Sequence, residues 1–135
     1  MIIIECIDVV HSFDEILLNS WLKKIAKEEG RELGALSIVI GSDNWLLQKN
    51  ISFLNHDYYT DIITFDYSED KIISGDLLIS LDRVFENADD LNVSRETELN
   101  RVIVHGALHL LGFKDKSKKE AEIMRKKEDY YLSLL

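Results

Sequence analysis

The sequence predicts a single α+β domain over residues 1–135, in which a small, mostly mixed sheet of three to four strands packs with about five helices. A length of 135 residues suits one hydrophobic core. Short β-rich runs alternate with longer segments whose apolar residues recur at helical spacing. Together these patterns are typical of helices layered on a sheet. No proline, Gly/Ser-rich linker or internal repeat marks a second domain.

The first strand and the first helix are predicted within residues 2–30. Residues 2–10 are β-rich and predict a strand. Ser12 and Glu15 fit a capping box, with Ser12 as the N-cap of a helix whose apolar residues recur every three to four positions. Gly30 is a plausible first residue beyond the end of this helix.

A second strand and helix are expected next. Residues 36–40 form a short apolar run, which predicts the strand. Ser42 or Asp43 is a suitable N-cap for the helix, which extends at least to Phe53.

Two neighbouring strands are predicted in the middle of the chain, at residues 60–67 and 75–80. The polar stretch 68–74 joins them. A third helix is expected over about residues 81–90.

The last two helices begin at clear capping residues. Ser94 is a good N-cap for a central helix that runs to about Leu111 and is apolar on nearly every face from Val102 onward, so we expect it to be buried. Ser117 and Glu120 form a capping box for the final helix.

A candidate metal site lies at the end of the central helix. His105 and His109 are four residues apart, so their side chains share one face of the helix and can bind one ion. Gly112 then predicts the helix end, and Asp115 follows in the turn as a possible oxygen ligand. Three protein ligands leave a fourth zinc position open, which is the catalytic form of such a site.

The alternative interpretation is that both histidines are core residues satisfied by local hydrogen bonds. Two histidines on a buried helix would then need two sets of partners, whereas one shared ion satisfies both. Gly106 between them costs helix stability, which indicates close approach of another group at that point. His11 and His56 have no partner at ligand spacing, and His56 lines the site only if the fold brings it there.

The charge distribution divides the chain into two parts. The net charge is −9, which taken alone argues against nucleic-acid binding. Residues 114–127 nevertheless hold seven Lys or Arg against three Asp or Glu, a local charge of +4 that leaves −13 on the rest. This basic segment is either a phosphate-binding region beside the metal site or the solvated face of a helix.

Cysteine content and hydropathy predict a cytoplasmic protein. The single cysteine, Cys6, cannot form an internal disulfide, which favours the reducing cytosol. No apolar run approaches the length of a membrane span, and the apolar start of the chain is too short for a signal peptide.

The segment that holds His105, His109 and Asp115 resembles a motif of the YbeY family of bacterial rRNA-maturation endoribonucleases. The family's motif is H-G-x-L-H-L-x-G-[YF]-D-H. Residues 105–115 of this chain read HGALHLLGFKD. The family's second block, L-N followed by T-[ND]-V-L-S-F and G-D-[IL]-x-I-S, is matched by Leu54-Asn55, TDIITF at 60–65 and GDLLIS at 75–80. The matched blocks span about half of the chain and occur in the family's order.

The resemblance implies a single-strand-specific, metal-dependent endoribonuclease that matures the 3′ end of small-subunit (16S) rRNA and serves ribosome quality control. One zinc ion per chain would bind His105, His109 and Asp115. The family's third histidine is Asp115 here, and this harder ligand favours other divalent ions such as Mn²⁺ more than histidine would.

The chain also departs from the family in a shortened loop between Asn55 and Thr60, which lacks the family's arginine. Lys114, Lys116 and Arg101 are candidate replacements for RNA binding.

No glutamate follows His105, so a general base must come from elsewhere, or the RNA 2′-hydroxyl is the nucleophile. Asp61 and Asp76, at predicted strand ends, are candidate catalytic bases, although both residues are equally suited to turns and caps. Two other functions stay open: a metal-dependent hydrolase of another bond, and a non-catalytic ribosome-assembly factor with a structural metal.

Overall fold

The computed structural model describes residues 1–135 and confirms the α+β prediction, with one four-stranded sheet and five helices. The strands are β1 (Ile2–Ile7), β2 (Glu32–Gly41), β3 (Ile62–Asp66) and β4 (Ile72–Ser80). The helices are α1 (Glu15–Glu28), α2 (Asp43–Leu54), α3 (Leu81–Leu91), α4 (Arg95–Leu110) and α5 (Lys118–Leu132). None of the helices is both long and apolar enough to cross a bilayer.

The sheet is mixed, with strand order β1-β2-β4-β3. Strands β1, β2 and β4 are parallel, and β3 pairs antiparallel with β4 at one edge. Residues from α1, α3, α4 and α5 share one large hydrophobic cluster with the sheet, whereas Leu46 of α2 belongs to a small cluster with Val39, Ile63 and Leu78. The central helix α4 is therefore buried on one face of the sheet, as the sequence predicted.

Gly106 lets α4 approach the sheet closely. A Cβ atom at this position would lie 2.7 Å from Leu77 Cδ2 and 2.9 Å from Ile62 Cδ1, too near for a real contact. The expected close approach is confirmed, and the partner is the sheet itself. The helical turn that carries His105 is thereby pressed against β3 and β4.

Capping explains most of the helix boundaries. Ser42, Ser94 and Ser117 each accept a hydrogen bond at the start of their helix, and the predicted box of Ser117 with Glu120 is present. The prediction for α1 was wrong, because Asp14 rather than Ser12 is the N-cap and accepts from the Leu17 N–H at 3.0 Å. Asp and Ser are about equally good N-caps, so the pattern left the choice between them open.

All four strands differ from their predicted bounds; β3 is shorter than the predicted 60–67, and β4 begins at Ile72 rather than at residue 75. β1 ends at Ile7 rather than at residue 10, because Asp8 adopts a φ of +60° and turns the chain. β2 begins at Glu32, earlier than predicted, because Gly30 closes α1 with a φ of +75° and directs the chain straight into the strand.

Candidate metal centre

Three possible metal ligands meet at the C-terminal end of α4. The two Nε2 atoms of His105 and His109 lie 3.1 Å apart. Asp115 Oδ2 lies 3.1 Å from His105 Nε2 and 3.4 Å from His109 Nε2. The structure therefore brings together the three ligands that the sequence predicted.

The end of α4 is what returns the chain to this point. Gly112 adopts a φ of +100°, and the N–H groups of Gly112 and Phe113 donate to the carbonyls of His109 and Leu108, both at 3.0 Å. This is a Schellman motif, which reverses the chain after the helix. The same turn presents the Phe113 carbonyl to His109 Nδ1 at 2.9 Å.

Each histidine is oriented by a second contact. A carbonyl oxygen can only accept a hydrogen bond. His109 Nδ1 is therefore protonated and donates a hydrogen bond to the Phe113 carbonyl. His105 Nδ1 lies 2.6 Å from Oε2 of Glu128, a buried carboxylate on α5. In its neutral form each ring is thus assigned, from its partner, the tautomer that leaves Nε2 as a bare lone pair.

The three ligand atoms fit a divalent cation. At zinc bond lengths of about 2.0–2.1 Å, tetrahedral ligand atoms stand roughly 3.3 Å apart. The observed separations of 3.1 to 3.4 Å match this spacing. Two imidazole lone pairs and a carboxylate oxygen at such distances need a positive charge between them, which either a proton on His105 Nε2 or a metal cation supplies. Two nitrogen ligands and one oxygen ligand form a set that zinc accepts.

Glu128 is itself held by Arg101. The guanidinium contacts Glu128 Oε1 at 3.1 Å, Asp129 Oδ1 at 2.8 Å and the buried Glu98 at 3.9 Å. A buried carboxylate needs such partners, because its desolvation is otherwise very costly. Glu128 therefore has a partner on each of its two oxygens, Arg101 on Oε1 and His105 on Oε2.

The burial of the site changes two proton affinities. Burial raises the pKa of Asp61 above its usual range, and the nearby His105 and local backbone N–H groups only partly oppose this. For His105, burial alone would lower the pKa. The hydrogen bond and charge of Glu128, with the charges of Asp115 and Asp61, outweigh burial and raise it.

Two cavities open on either side of the ligand cluster. The first, here called the loop cavity, has a volume of about 510 Å³ and lies against the 55–61 loop and β3. The second, here called the helix cavity, has a volume of about 300 Å³ and lies between α4 and α5. Asp61, His105 and Asp115 line both, so the ligand cluster separates the two spaces.

The structure separates the two predicted catalytic aspartates. Asp61 lines both cavities, beside the ligand cluster. Asp76 shares a sheet face with Leu78, which packs towards α2, and its carboxylate accepts a hydrogen bond from the Tyr67 hydroxyl at 3.1 Å. The structure does not bring Asp76 to the cluster, which lies on the α4 side of the sheet.

The three predicted RNA-binding residues occupy different positions. Lys114 and Lys116 are exposed on either side of Asp115. Arg101 lines the helix cavity, but its guanidinium is already engaged by three acidic side chains.

Sequence reasoning missed Glu128 and Asn50 and left His56 open. Met124, Glu128 and Tyr131 recur at helical spacing on α5 and are all buried, so this spacing was the one available signal that Glu128 points inward. Asn50 and His56 line the loop cavity, but they reach it only through the fold of the 55–61 loop.

Comparisons with known proteins identify the family of this chain. The family model for "Endoribonuclease YbeY" matches residues 6–135. Among curated relatives, the Endoribonuclease YbeY of Cytophaga hutchinsonii is 53% identical over 118 residues, which is 87% of this chain and 82% of that protein. The Endoribonuclease YbeY of Porphyromonas gingivalis is 47% identical over 119 residues, covering 88% of this chain and 79% of that protein.

A solved structure also resembles the fold. The solution structure of TM1509 from Thermotoga maritima superposes with a TM-score of 0.65 at 28% sequence identity. The match covers 97% of this chain and 87% of that one.

Proposed function

Because the chain belongs to the YbeY endoribonuclease family, we propose that it is a zinc-dependent, single-strand-specific endoribonuclease. Its substrate is the 3′ end of small-subunit (16S) rRNA during maturation and ribosome quality control. The proposal is carried by one observation: His105, His109 and Asp115 meet at zinc-like spacing between two open cavities. Precursor rRNA and the small subunit are the partners, and the cytoplasm is where they meet.

One zinc ion per chain would be held by these three residues. Bound there, it supplies a Lewis acid for a phosphoryl oxygen and lowers the pKa of water. Asp115 is the harder oxygen ligand in the set, so Mn²⁺ is the first alternative to zinc. The Nδ1 contacts of the two histidines fix which nitrogen faces the ion.

Asp61 is the residue proposed to move the proton. Its carboxyl group lines both cavities beside His105, and burial raises its pKa. A carboxylate with a raised pKa is a better base than an ordinary one, and it can accept a proton from water or from an RNA 2′-hydroxyl. Lys114 and Lys116, exposed beside Asp115, are proposed to contact the RNA backbone.

The decisive experiment compares His109→Ala with His11→Ala on a precursor rRNA that carries an unpaired 3′ extension. His109→Ala should lose bound zinc and cleavage, while His11→Ala, which lies outside both cavities, should keep both. A duplex of the same sequence should resist the wild-type protein. Unchanged cleavage by zinc-free His109→Ala would refute the metal-dependent nuclease.

A second candidate is a non-catalytic ribosome-assembly factor with a structural metal. The loop cavity favours it to a degree, because no Lys or Arg lines this space to hold a phosphate. The two hypotheses separate in cells. If an Asp61→Asn protein that binds zinc but does not cleave RNA restores normal rRNA processing, the assembly factor is the better description.

A further inference from the structure

Apart from the ion that the proposed function places at the ligand cluster, the loop cavity offers no cation to bind RNA phosphates. Asp61, Asp66 and Asp115 are among its lining residues, and no Lys or Arg is. Phosphate contacts need cationic side chains or a series of N–H donors. If single-stranded RNA enters this space, as the proposed function requires, a different part of the nucleotide must be recognised.

An aromatic pair lies at this cavity. The rings of His56 and Tyr58 stack with centroids 5.1 Å apart and an interplanar angle of 20°. The Tyr58 hydroxyl and His56 Nδ1 lie 2.9 Å apart, a hydrogen bond that fixes the pair. Both residues line the loop cavity, and Tyr58 still exposes 55% of its surface. The pair is therefore an ordered aromatic surface that is open to solvent.

A buried asparagine holds this loop in place. The Asn50 side chain on α2 donates from Nδ2 to the Tyr58 carbonyl at 2.9 Å. The backbone carbonyl of Asn50 accepts from the His56 N–H at 3.2 Å. Asn55, which precedes His56, adopts a φ of +56° that ends α2 and starts the loop. Two hydrogen bonds to one buried residue position the aromatic pair before any ligand arrives, which lowers the entropy cost of binding.

We propose that Tyr58, supported by His56 and positioned by Asn50, is a stacking platform for one unpaired nucleobase of the RNA substrate. The inference rests on the proposed function and names its recognition chemistry. Stacking on an aromatic ring requires no positive charge and tolerates every base, because every base has a π face. A base held in a duplex cannot reach the ring, so the platform also favours unpaired RNA.

Tyr59 provides a matched control. It is the next residue and exposes 52% of its surface, close to the value for Tyr58. Its ring instead lies under the Arg83 guanidinium, 5.3 Å from ring centroid to Cζ, and it lines neither cavity. The two tyrosines are thus adjacent in the chain and similarly exposed, and they differ in whether they line the loop cavity.

The test measures the affinity of zinc-loaded protein for a short, cleavage-resistant 2′-O-methyl oligonucleotide by fluorescence anisotropy. Tyr58→Leu should bind roughly 5- to 150-fold more weakly, the range for one lost stacked base. Tyr58→Phe keeps the ring and loses only the hydroxyl contact with His56, so it should lose less affinity than Tyr58→Leu. Tyr59→Leu should stay close to wild type. An abasic site scanned along the oligonucleotide should weaken wild type at one position and leave Tyr58→Leu unaffected there.

Salt dependence separates stacking from a phosphate contact. Since no phosphate contact is removed, the slope of log affinity against log salt should be the same for wild type and Tyr58→Leu. Equal affinity of Tyr58→Leu and wild type, or an equal loss in Tyr59→Leu, would overturn the platform while cleavage by wild type leaves the nuclease intact. Wild type that neither binds nor cleaves RNA would instead overturn the proposed function itself.

Discussion

The two cavities beside the ligand cluster share Asp61, His105 and Asp115 but differ in every other lining residue. The loop cavity contributes a stacked His–Tyr pair, a buried asparagine and no cation. The helix cavity contributes two arginines and two buried glutamates. The loop cavity is thus suited to a nucleobase, and the helix cavity is suited to a charged group such as a phosphate.

The charge of the helix cavity is itself divided between its two arginines. Arg101 contacts Glu98, Glu128 and Asp129, so its guanidinium is occupied by acidic side chains of the protein itself. Arg125 exposes 57% of its side chain and lies 3.7 Å from Glu128. An arginine beside the proposed metal site therefore need not face the substrate. The inner arginine holds Glu128 in place, and the outer one is available to a phosphate.

The largest expected effect comes from the ligand that both cavities share. Asp115→Ala should abolish cleavage and reduce zinc from about one ion per chain, because it removes the only carboxylate ligand. Asp115→His should keep the ion, since histidine is an equivalent zinc ligand. Elemental analysis of tagless protein measures both, with the exposed Asp90→Ala as control. A full zinc complement in Asp115→Ala would contradict the three-residue site.

The next effect sharpens the role of the helix cavity as support for the metal site. Glu128→Gln keeps the shape of the side chain but removes the charge that holds His105 at 2.6 Å and Arg101 at 3.1 Å. Zinc affinity should fall roughly 10- to 100-fold, as is typical when a ligand's supporting group is lost. Chelator competition measures it. Asp129→Asn, an exposed partner of Arg101, should change zinc affinity little, and an equal effect would contradict the role of Glu128.

A smaller effect tests the outer arginine. If a phosphate binds at the helix cavity, Arg125→Gln should weaken RNA binding and reduce the slope of log affinity against log salt by about 1. Arg95→Gln is the control, because Arg95 has nearly the same exposure, 56%, and pairs with Asp89 away from both cavities. An unchanged slope in Arg125→Gln would show that Arg125 does not bind a phosphate at the helix cavity.

The smallest effect concerns a charge cluster outside both cavities. Burial alone would raise the pKa of Glu29, but hydrogen bonds from Tyr131 and Lys127 outweigh it and lower that pKa. The lowered pKa contributes stability above pH 4.5, the usual value, and this stability is lost as the pH falls through the pKa of the folded state.

Glu29→Gln should therefore remove on the order of 1 kcal/mol of unfolding free energy at pH 7 and less at acid pH. Urea unfolding of metal-free protein at pH 7 and pH 3.5 checks this and excludes any contribution from the metal site. A Glu29→Gln deficit that is equal at both pH values would contradict it.

Local sequence predicted the ligands, and tertiary structure supplied their support. His105, His109 and Asp115 lie within eleven residues, so helix periodicity and one turn at Gly112 suffice to bring them together. Glu128 lies thirteen residues beyond Asp115, on another helix, where no spacing rule connects it to His105.

Asp61 and Asp76 show why strand-end residues are harder to predict. Both were candidates because each lies close to the end of a predicted strand. Asp61 is the residue before Ile62 and faces the cluster, whereas Asp76 lies within β4 on the other face of the sheet. Which face a residue takes depends on where its strand starts, and sequence patterns give that boundary least accurately.

Gly106 lets α4 pack closely against the sheet beside the ligand cluster. A single missing methyl group allows α4 to rest on Ile62 and Leu77, and Ile62 is the neighbour of Asp61. The packing behind the imidazoles and the Asp61 carboxyl group thus depends on a residue with no polar side chain. In Gly106→Ala the added methyl group would displace the side-chain ends of Leu77 and Ile62 while every polar group keeps its identity, so the surroundings of the ligand cluster can change without any change in its chemistry.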